Sequence, residues 1–375
     1  MEHLFVMIKP ASSLCNLSCE YCFYKNIADI RDIPSFGIMS EETAENVIGK
    51  AIDFSTRVVT FAFQGGEPTL AGIKFFRFFT NKVKELNVKR LDINYVIQTN
   101  GMTVDEEFAQ FLKENKFLVG LSIDGYKEIH DFLRVDRQGK GTYNRLMKTA
   151  RLFNKYNVDY NILTVITKFT AKHIEKIYSS FKNSGFRYLQ FIPCLDPLDA
   201  EPFKRQYSLT PEFYEKFLIT LFKLWYDDFM SGNYISIRFF DNLVHIMQGG
   251  KGELCGTNGA CMGQFVVEAD GGVYPCDFYC VDNWKTGNLN EHTFSEIANS
   301  ETMKKFIATS VHNDEKCKNC RVHYLCKGGC RRDRDLKSDG VALENVFCSA
   351  LHNFYVFAEP LLKDIVDRLA YTHAE

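Results

Sequence analysis

Three cysteines stand close together near the start of the sequence: Cys15, Cys19 and Cys22, in the spacing C-x3-C-x2-C. Grouped thiols point first to metal ligation. A structural zinc site takes four closed ligands, yet the next cysteine is Cys194, and the nearest histidine, His3, falls in an apolar run. Three thiolates suit a 4Fe-4S cluster in which one iron stays open for a substrate or cofactor. The spacing therefore favours an open iron–sulfur cluster, with structural zinc as the alternative.

A second candidate motif is the run GGEPTL at residues 65–70. On its own, Gly-Gly before Glu-Pro is typical of a turn that ends a strand. Glycines also let the backbone approach a ligand closely, which would leave main-chain groups and Glu67 available to bind an ammonium group. A cofactor with an amino-acid end and a sulfonium would use both Glu67 and the open iron.

Nine further cysteines lie between residues 255 and 348. At four thiolates for each cluster, eight of the nine are enough for two fully ligated clusters. Zinc ribbons also use C-x2-C pairs, but they predict compact and locally paired ligands, which is not the arrangement here. The spacing is Cys261-x9-Gly271-x4-Cys276, then Cys317-x2-Cys320-x5-Cys326-x3-Cys330, with Cys255 before and Cys348 after.

Six β-rich apolar runs must position these motifs. They occupy residues 3–8, 58–63, 93–98, 117–123, 160–166 and 188–193, and stretches with helical periodicity separate them. Alternating strands and helices predict a parallel sheet with right-handed crossovers. Six units give an open sheet or a partial barrel, short of the eight that close a (β/α)8 barrel. The motifs follow the carboxyl ends of the runs, where such folds carry their functional residues.

The amino-acid composition argues against two classes of protein, nucleic-acid binders and membrane proteins. Hydrophobic residues make up 46% and charged residues 25%, as in an ordinary globular protein. Because 45 Lys and Arg face 47 Asp and Glu, no basic field favours nucleic acid. No apolar run of about 18 residues is present, so we expect no membrane association and a cytoplasmic location. In that compartment disulfides are not expected among the thirteen cysteines, so their spacing points first to metal ligation.

The cysteines at 15, 19 and 22, the aromatic pair Phe23 and Tyr24 and the GGEPTL run together resemble the radical S-adenosylmethionine enzymes. The resemblance implies a partial (β/α)6 barrel, in agreement with the six runs. In that family the open iron binds the amino and carboxylate groups of S-adenosylmethionine. One electron from the cluster then cleaves the carbon–sulfur bond of the cofactor and releases a 5′-deoxyadenosyl radical.

The same resemblance implies roles for residues at the cofactor. Gly65, Gly66 and Glu67 would hold the methionyl amino group, and Ser122 and Arg134 would lie near its carboxylate. Each polar side chain is alternatively a hydrogen-bonded residue at a strand end. Weaker candidates for the lining of the cofactor or substrate pocket are Tyr24 near the adenine, Gln64, Gln98, Asn100, Asn161 and Leu195.

The later cysteines resemble the seven-cysteine pattern of the SPASM domain, which occurs in radical S-adenosylmethionine enzymes that modify peptides. Three 4Fe-4S clusters are then expected, and Cys280 is not required for any of them. The expected segments are a partial barrel with a helical connector at 1–235, a Cys-rich SPASM iron–sulfur domain at 236–348 and a C-terminal helix at 349–375. The two auxiliary clusters would be held by Cys255, Cys261, Cys276 and Cys330, and by Cys317, Cys320, Cys326 and Cys348.

The runs KPASSLCNLSCEYCFY, FAFQGGEPTLAG and QFVVEADGGVYPCDFY resemble the anaerobic sulfatase-maturating enzymes. These oxidise a cysteine or serine of a sulfatase polypeptide to Cα-formylglycine and take electrons from a small donor such as flavodoxin or ferredoxin. The resemblance makes Asp277 the base that removes the thiol or hydroxyl proton. Alternatively, Asp277 only accepts loop hydrogen bonds. Two other functions remain open: another SPASM peptide-modifying enzyme, such as a thioether-forming ribosomal-peptide maturase, and a non-catalytic metal-binding module.

Overall fold

Strands and helices alternate through the first half of the chain in the computed structural model, which describes residues 1–311, 315–334 and 344–372. The strands are β1 (His3–Ile8), β2 (Val58–Phe63), β3 (Asp92–Thr99), β4 (Phe117–Ser122), β5 (Asp159–Ile166), β6 (Tyr188–Pro193), β7 (Ser236–Ile237), β8 (Phe265–Val267), β9 (Gly272–Tyr274) and β10 (Gly287–Asn288).

The α-helices are α1 (Phe23–Asp29), α2 (Glu41–Phe54), α3 (Gly72–Leu86), α4 (Glu106–Glu114), α5 (Lys127–Leu133), α6 (Tyr143–Tyr156), α7 (Lys168–Lys172), α8 (Ile174–Asn183), α9 (Pro211–Met230), α10 (Arg238–Met247), α11 (Phe294–Ala298), α12 (Glu301–Ala308), α13 (Glu315–Lys318), α14 (His323–Cys326) and α15 (Cys348–Thr372). Short 3₁₀ helices occupy Pro68–Ala71, Cys255–Thr257, Asp277–Tyr279, Asp282–Trp284 and Arg331–Asp333.

The chain divides into two units, and the first contains residues 1–123, 130–161 and 263–306. Its strands have the order β10-β9-β8-β1-β2-β3-β4. β1 to β4 are parallel, β8 joins β1 in parallel, and β9 and β10 are antiparallel. Ile8 is paired with both Phe63 and Val267. The residues that follow β1, β2 and β8 therefore meet at one edge of the sheet.

The second unit contains residues 124–129, 162–262 and 307–375. In it, β5 pairs with β6 and β6 with β7, both in parallel. The helices α9 and α15 pack through aromatic side chains, for example Phe222 against Phe354 with ring centroids 5.7 Å apart. Trp225 is buried and donates its indole N–H to the carbonyl of Ile235 at 2.9 Å.

Side-chain caps explain where two helices of the first unit begin. The Ser40 hydroxyl accepts from Thr43 N at the start of α2, and the Asp105 carboxylate accepts from Phe108 N at the start of α4. Such caps satisfy backbone donors that a helix leaves unpaired, each contributing about 1 kcal/mol. The apolar faces then pack on the sheet, where the Phe63 ring lies 5.0 Å from that of Phe79.

The predicted strand–helix order is confirmed, and each of the six predicted strands lies within one residue of its observed bounds. The predicted connector and helical tail correspond to α9 and α15. Residues 373–375 of the predicted C-terminal helix, and parts of the expected 236–348 segment, lie outside the described residues. The boundaries of the three expected segments remain a prediction.

Within the described ranges, no helix combines the length and the apolar character needed to cross a membrane.

Candidate active site

The loop after β1 carries Cys15, Cys19 and Cys22, and all three thiols are half-buried. The backbone N–H of Leu17 donates to Cys15 Sγ at 3.4 Å, and the Asn100 amide approaches the same sulfur at 3.8 Å. Burial raises the pKa of Cys15 to about 11, and the nearby anionic groups of Glu67 and Cys22 act in the same direction. The three predicted ligands thus belong to one loop, with donors directed at its first sulfur.

The GGE segment is bound to the backbone of this cysteine loop. Gly66 N donates to Ser12 O at 2.8 Å, and Glu67 N donates to Leu14 O at 2.7 Å. A Cβ atom on Gly66 would lie 2.2 Å from Leu14 O, closer than any real contact. The glycine is therefore required by the close approach of two backbones, and the cysteine loop is held in place by the loop that follows β2.

Glu67 lies beneath this contact with only 1% of its surface exposed. Its Oε1 accepts from Thr69 N at 3.1 Å and from the hydroxyls of Thr69 and Thr99 at 2.6 and 2.7 Å, and its Oε2 accepts from Asn100 N at 2.7 Å. Burial raises its pKa, against the effect of these hydrogen bonds. Among the described residues, Asn100 N is the one donor to Oε2, so a second lone pair of that oxygen suits an ammonium group. Glu67 also joins the ends of β2 and β3.

Two other predicted cofactor residues contact each other. The Gln98 amide, on β3, donates to the Ser122 hydroxyl at the end of β4, 3.0 Å away. Arg134 is buried with its guanidinium 5.5 Å from the centroid of the Tyr21 ring, inside the same unit as the cysteine loop, and its charge acts to lower the pKa of Cys15. These positions fit a site for a carboxylate, which remains a prediction.

Leu195 belongs to the second unit, where it follows β6 and lines a small cavity with Phe203 and Phe347. Asn161 lies on β5. The pocket-lining roles expected for both residues remain predictions.

Asp277 lies in the 3₁₀ helix that follows β9, and 6% of the residue is exposed. Its Oδ1 forms an ion pair with Lys9 Nζ, and its Oδ2 accepts from Gln64 Nε2 at 2.8 Å. Lys9 and Gln64 are the first residues after β1 and β2. The carboxyl ends of β1 and β2 thus supply two donors to the predicted base, and one of these donors, Lys9, was not identified in the sequence analysis. Its signal in the sequence is a lysine placed directly after an unbroken apolar strand.

A second buried pair lies beside the first. Tyr24 donates its hydroxyl to Glu268 Oε1, which also accepts from Arg31 NH1 at 2.7 Å. Lys9 Nζ lies 4.0 Å from the centroid of the Tyr24 ring, and Tyr24 is 2% exposed. Burial alone lowers the pKa of Lys9, but the attraction of the surrounding anionic groups, Asp277 first, outweighs it and the pKa is raised. The adenine contact expected for Tyr24 remains a prediction, and the Tyr24 hydroxyl donates its hydrogen bond to Glu268.

Seven of the eight cysteines predicted to hold the auxiliary clusters lie in the second unit. A hydrogen bond between the Cys255 and Cys261 thiols, together with burial, raises the pKa of Cys261. Burial raises the pKa of Cys330, and the nearby Cys261 thiol acts in the same direction. Burial raises the pKa of both Cys326 and Cys348, and the nearby Cys317 thiol acts in the same direction on each. Cys276 belongs to the first unit. In the described part of the chain, no three His, Cys, Asp or Glu side chains are grouped as ligands of a single metal ion. The assignment of these thiols to two clusters remains a prediction.

Comparisons with known proteins identify the family of the chain. The Radical SAM superfamily profile matches residues 10–181, and the SPASM profile, an iron–sulfur cluster-binding domain, matches residues 255–321. A cysteine-type anaerobic sulfatase-maturating enzyme from Clostridium novyi is 48% identical over 371 residues, which are 99% of this chain and 99% of that relative. The chain belongs to the anaerobic sulfatase-maturating enzymes.

Within this family the chain also matches a serine-type enzyme from Bacteroides thetaiotaomicron, at 30% identity over 96% of this chain and 90% of the relative. A solved structure described as native anSMEcpe with bound AdoMet and Cp18Cys peptide matches with a TM-score of 0.94 and 46% identity, over 98% of this chain and 99% of that chain. The predicted fold class is confirmed: a partial (β/α)6 barrel of radical S-adenosylmethionine type, a SPASM domain and a C-terminal helix. The enzyme is a radical S-adenosylmethionine oxidoreductase.

Cys280, which the family pattern does not require, is fully buried in the first unit. Its thiol donates to the carbonyl of Cys276 at 3.6 Å, and burial raises its pKa. The thiol is thus engaged with the backbone of a predicted cluster ligand.

We expect the Cys280→Ala variant to keep the iron content and visible absorption of the parent enzyme and to lose about 1–2 kcal/mol of unfolding free energy. The reason is that alanine removes one buried sulfur and one weak hydrogen bond but no ligand. Iron analysis after anaerobic reconstitution and a denaturation curve measure the two effects, and Cys276→Ala is the comparison that should lose iron. Iron loss in both variants would make Cys280 a ligand.

Proposed function

We propose that the enzyme oxidises a cysteine in a sulfatase active-site motif to Cα-formylglycine. The observation that carries the proposal is the buried Asp277 carboxylate, which is held by Lys9 and Gln64 at the sheet edge from which the loop with Cys15 also starts. A carboxylate fixed beside a radical-generating site can take up the substrate proton. The family membership and the 48% identity to a cysteine-type enzyme support the same chemistry.

The chain offers residues that fit the required groups. Cys15, Cys19 and Cys22 would hold a 4Fe-4S cluster, and the eight later cysteines named above would hold two auxiliary clusters, which would supply an acceptor for an electron. Glu67 and the Gly65–Gly66 backbone would bind the amino group of S-adenosylmethionine. When bound, the cofactor and the reduced cluster supply the radical that removes one hydrogen atom from the substrate Cβ.

The remaining chemistry is assigned to Asp277. As the S–H bond breaks, its bonding electrons stay on sulfur and the proton passes to an Asp277 oxygen. One further electron leaves the substrate, so that a carbon–sulfur double bond forms, and water then replaces sulfur with oxygen and releases hydrogen sulfide. The substrate loses two electrons in total. A base in hydrogen-bond reach contributes about 10²- to 10⁴-fold to such a proton transfer.

We propose cysteine as the preferred substrate residue, since the identity to a cysteine-type relative is 48% and to a serine-type relative 30%. The electron donor is proposed to be a small redox protein such as flavodoxin or ferredoxin, and the location to be the cytoplasm, where thiols stay reduced.

The test is an anaerobic assay with reconstituted enzyme, a reductant, S-adenosylmethionine and a peptide that carries Cys-x-Pro-x-Arg. Conversion of CH2SH to CHO lowers the peptide mass by about 18 units while 5′-deoxyadenosine accumulates. A matched serine peptide, whose mass falls by about 2 units, should react at least about tenfold more slowly. Deoxyadenosine without either mass change would contradict formylglycine formation and favour another peptide modification, such as a thioether crosslink.

A further inference from the structure

Lys9 is an unusual residue to find fully buried. Its exposed surface is 0%, and it lies directly after the apolar strand β1. Lysines are almost never fully buried unless they are paired, because an ammonium group loses its hydration. Here the charge is compensated by Asp277 Oδ1 and by the face of the Tyr24 ring, 4.0 Å away. The Lys9 ammonium group therefore has both an anionic partner and an aromatic partner inside the site.

Stability alone is a weak reason for such a pair. The cost of removing two charges from water often exceeds their attraction, and apolar side chains of similar size can be equally stable or more so. A role in the function of Asp277 explains the buried Lys9 better, because Lys9 contacts the carboxylate that we assign as the base.

The two donors fix the carboxylate on both sides. Lys9 occupies one direction on Oδ1, and the Gln64 amide occupies one direction on Oδ2 at 2.8 Å. An ionised carboxylate has about four acceptor directions, and in the described part of the chain Lys9 and Gln64 use two of them, so two remain for the substrate. Lys9 N is itself anchored to Val267 O at 2.8 Å, and Gln64 N to Ile8 O at 2.9 Å. Rotation of the carboxylate would break both contacts at once.

From this geometry we propose that Lys9 is a positioning residue for the base: with Gln64, it holds the Asp277 carboxylate in the one orientation that can receive the substrate proton. The inference rests on the proposed role of Asp277. Lys9 keeps its own proton throughout, and the proton released from the substrate goes to Asp277. A misdirected carboxylate should therefore slow proton removal but leave the hydrogen-atom abstraction that precedes it intact.

The experiment compares Lys9→Met, which removes the donor, with Lys9→Gln, which keeps a shorter neutral one. Arg31→Met is the matched control, since it removes the cation of the neighbouring Arg31–Glu268 pair, at 2.7 Å, without touching Asp277. Each reconstituted variant receives the cysteine peptide deuterated at Cβ. Deuterium in 5′-deoxyadenosine counts hydrogen abstraction, and peptide mass counts formylglycine, so the ratio of the two isolates the later step from enzyme loading and folding.

We expect Lys9→Met to lower the ratio of formylglycine to deuterated deoxyadenosine by at least about tenfold, Lys9→Gln to give an intermediate ratio, and Arg31→Met to keep the parent ratio. The serine peptide should be affected more than the cysteine peptide, because a hydroxyl is a weaker acid than a thiol. If Lys9→Met does not fold, Lys9→Gln alone decides between the outcomes.

A parent-like ratio in the folded Lys9 variants, with a low ratio in Asp277→Asn, would overturn the role of Lys9 and leave the proposed base intact. A parent-like ratio in Asp277→Asn as well would overturn the base and, with it, this inference.

Discussion

Asp277→Asn should continue to cleave S-adenosylmethionine in the presence of peptide while formylglycine formation falls by about 100- to 10,000-fold. Asparagine has the shape of aspartate but does not accept a proton at neutral pH. Its single carbonyl oxygen can satisfy either Lys9 or Gln64, whereas the carboxylate satisfies both. Deoxyadenosine and peptide mass, followed in the same reaction, measure the two steps separately.

Loss of the carboxylate also leaves the buried Lys9 without its counter-ion, which costs about 3–5 kcal/mol of stability when a buried pair is broken. Glu268→Gln is the matched control, because it removes the carboxylate of the neighbouring pair with Arg31 and does not contact Asp277. Uncoupling means here that S-adenosylmethionine is cleaved without formation of formylglycine. If both variants lose similar unfolding free energy and Asp277→Asn alone is uncoupled, the loss of formylglycine is due to the missing base. Equal uncoupling in the two would mean that Asp277 acts only through the fold.

The features predicted from sequence are those encoded locally. β1, β2 and β6 have their predicted bounds, since each is a short β-rich apolar run next to a turn or helix pattern. The cysteines at 15, 19 and 22 could be predicted as ligands because ligands in one loop keep a fixed spacing along the chain. The strand signals and the first cysteine motif are each complete within about 30 residues, the length of one strand–helix unit.

The surroundings of Asp277 were not predictable in this way. Lys9 and Asp277 are 268 positions apart, and Arg31 and Glu268 are 237 apart. They meet because β8, which lies late in the chain, pairs with β1. A single sequence carries no signal for that pairing, so the loop hydrogen bonds offered as an alternative for Asp277 could not be weighed against an ion pair.

The GGE motif shows a different limit. Its glycines were interpreted as a place where the backbone approaches a ligand, and the structure shows that the approaching group is the backbone of the cysteine loop, at Ser12 and Leu14. Glu67 was expected to bind an ammonium group, and it also joins the ends of β2 and β3 through Thr99 and Asn100. The residues that would bind the cofactor are thus the residues that hold the cluster loop.

This coupling predicts that Gly66→Ala abolishes S-adenosylmethionine cleavage, with a loss of at least about 100-fold. A methyl group at this position would lie 2.2 Å from Leu14 O and 2.7 Å from the Leu14 and Ser13 carbonyl carbons, all of them backbone atoms. Because side-chain rotation cannot relieve the clash, the loop must move, and Cys15 is the next residue along. Displacement of a reacting group by about 1 Å is enough for a loss of this size.

Gly49→Ala is the control for the added methyl group. It lies inside α2, where a Cβ would lie an ordinary 3.9 Å from Leu86 Cδ1, and alanine should stabilise the helix by about 0.5–1 kcal/mol. Iron content, deoxyadenosine release and denaturation midpoints are measured for both variants. Gly66→Ala should lose cleavage even where its iron content and fold are retained, whereas Gly49→Ala should match the parent. Parent-like cleavage in Gly66→Ala would mean that the cysteine loop tolerates the shift, and that the contact between the GGE segment and this loop does not set the geometry of the cluster.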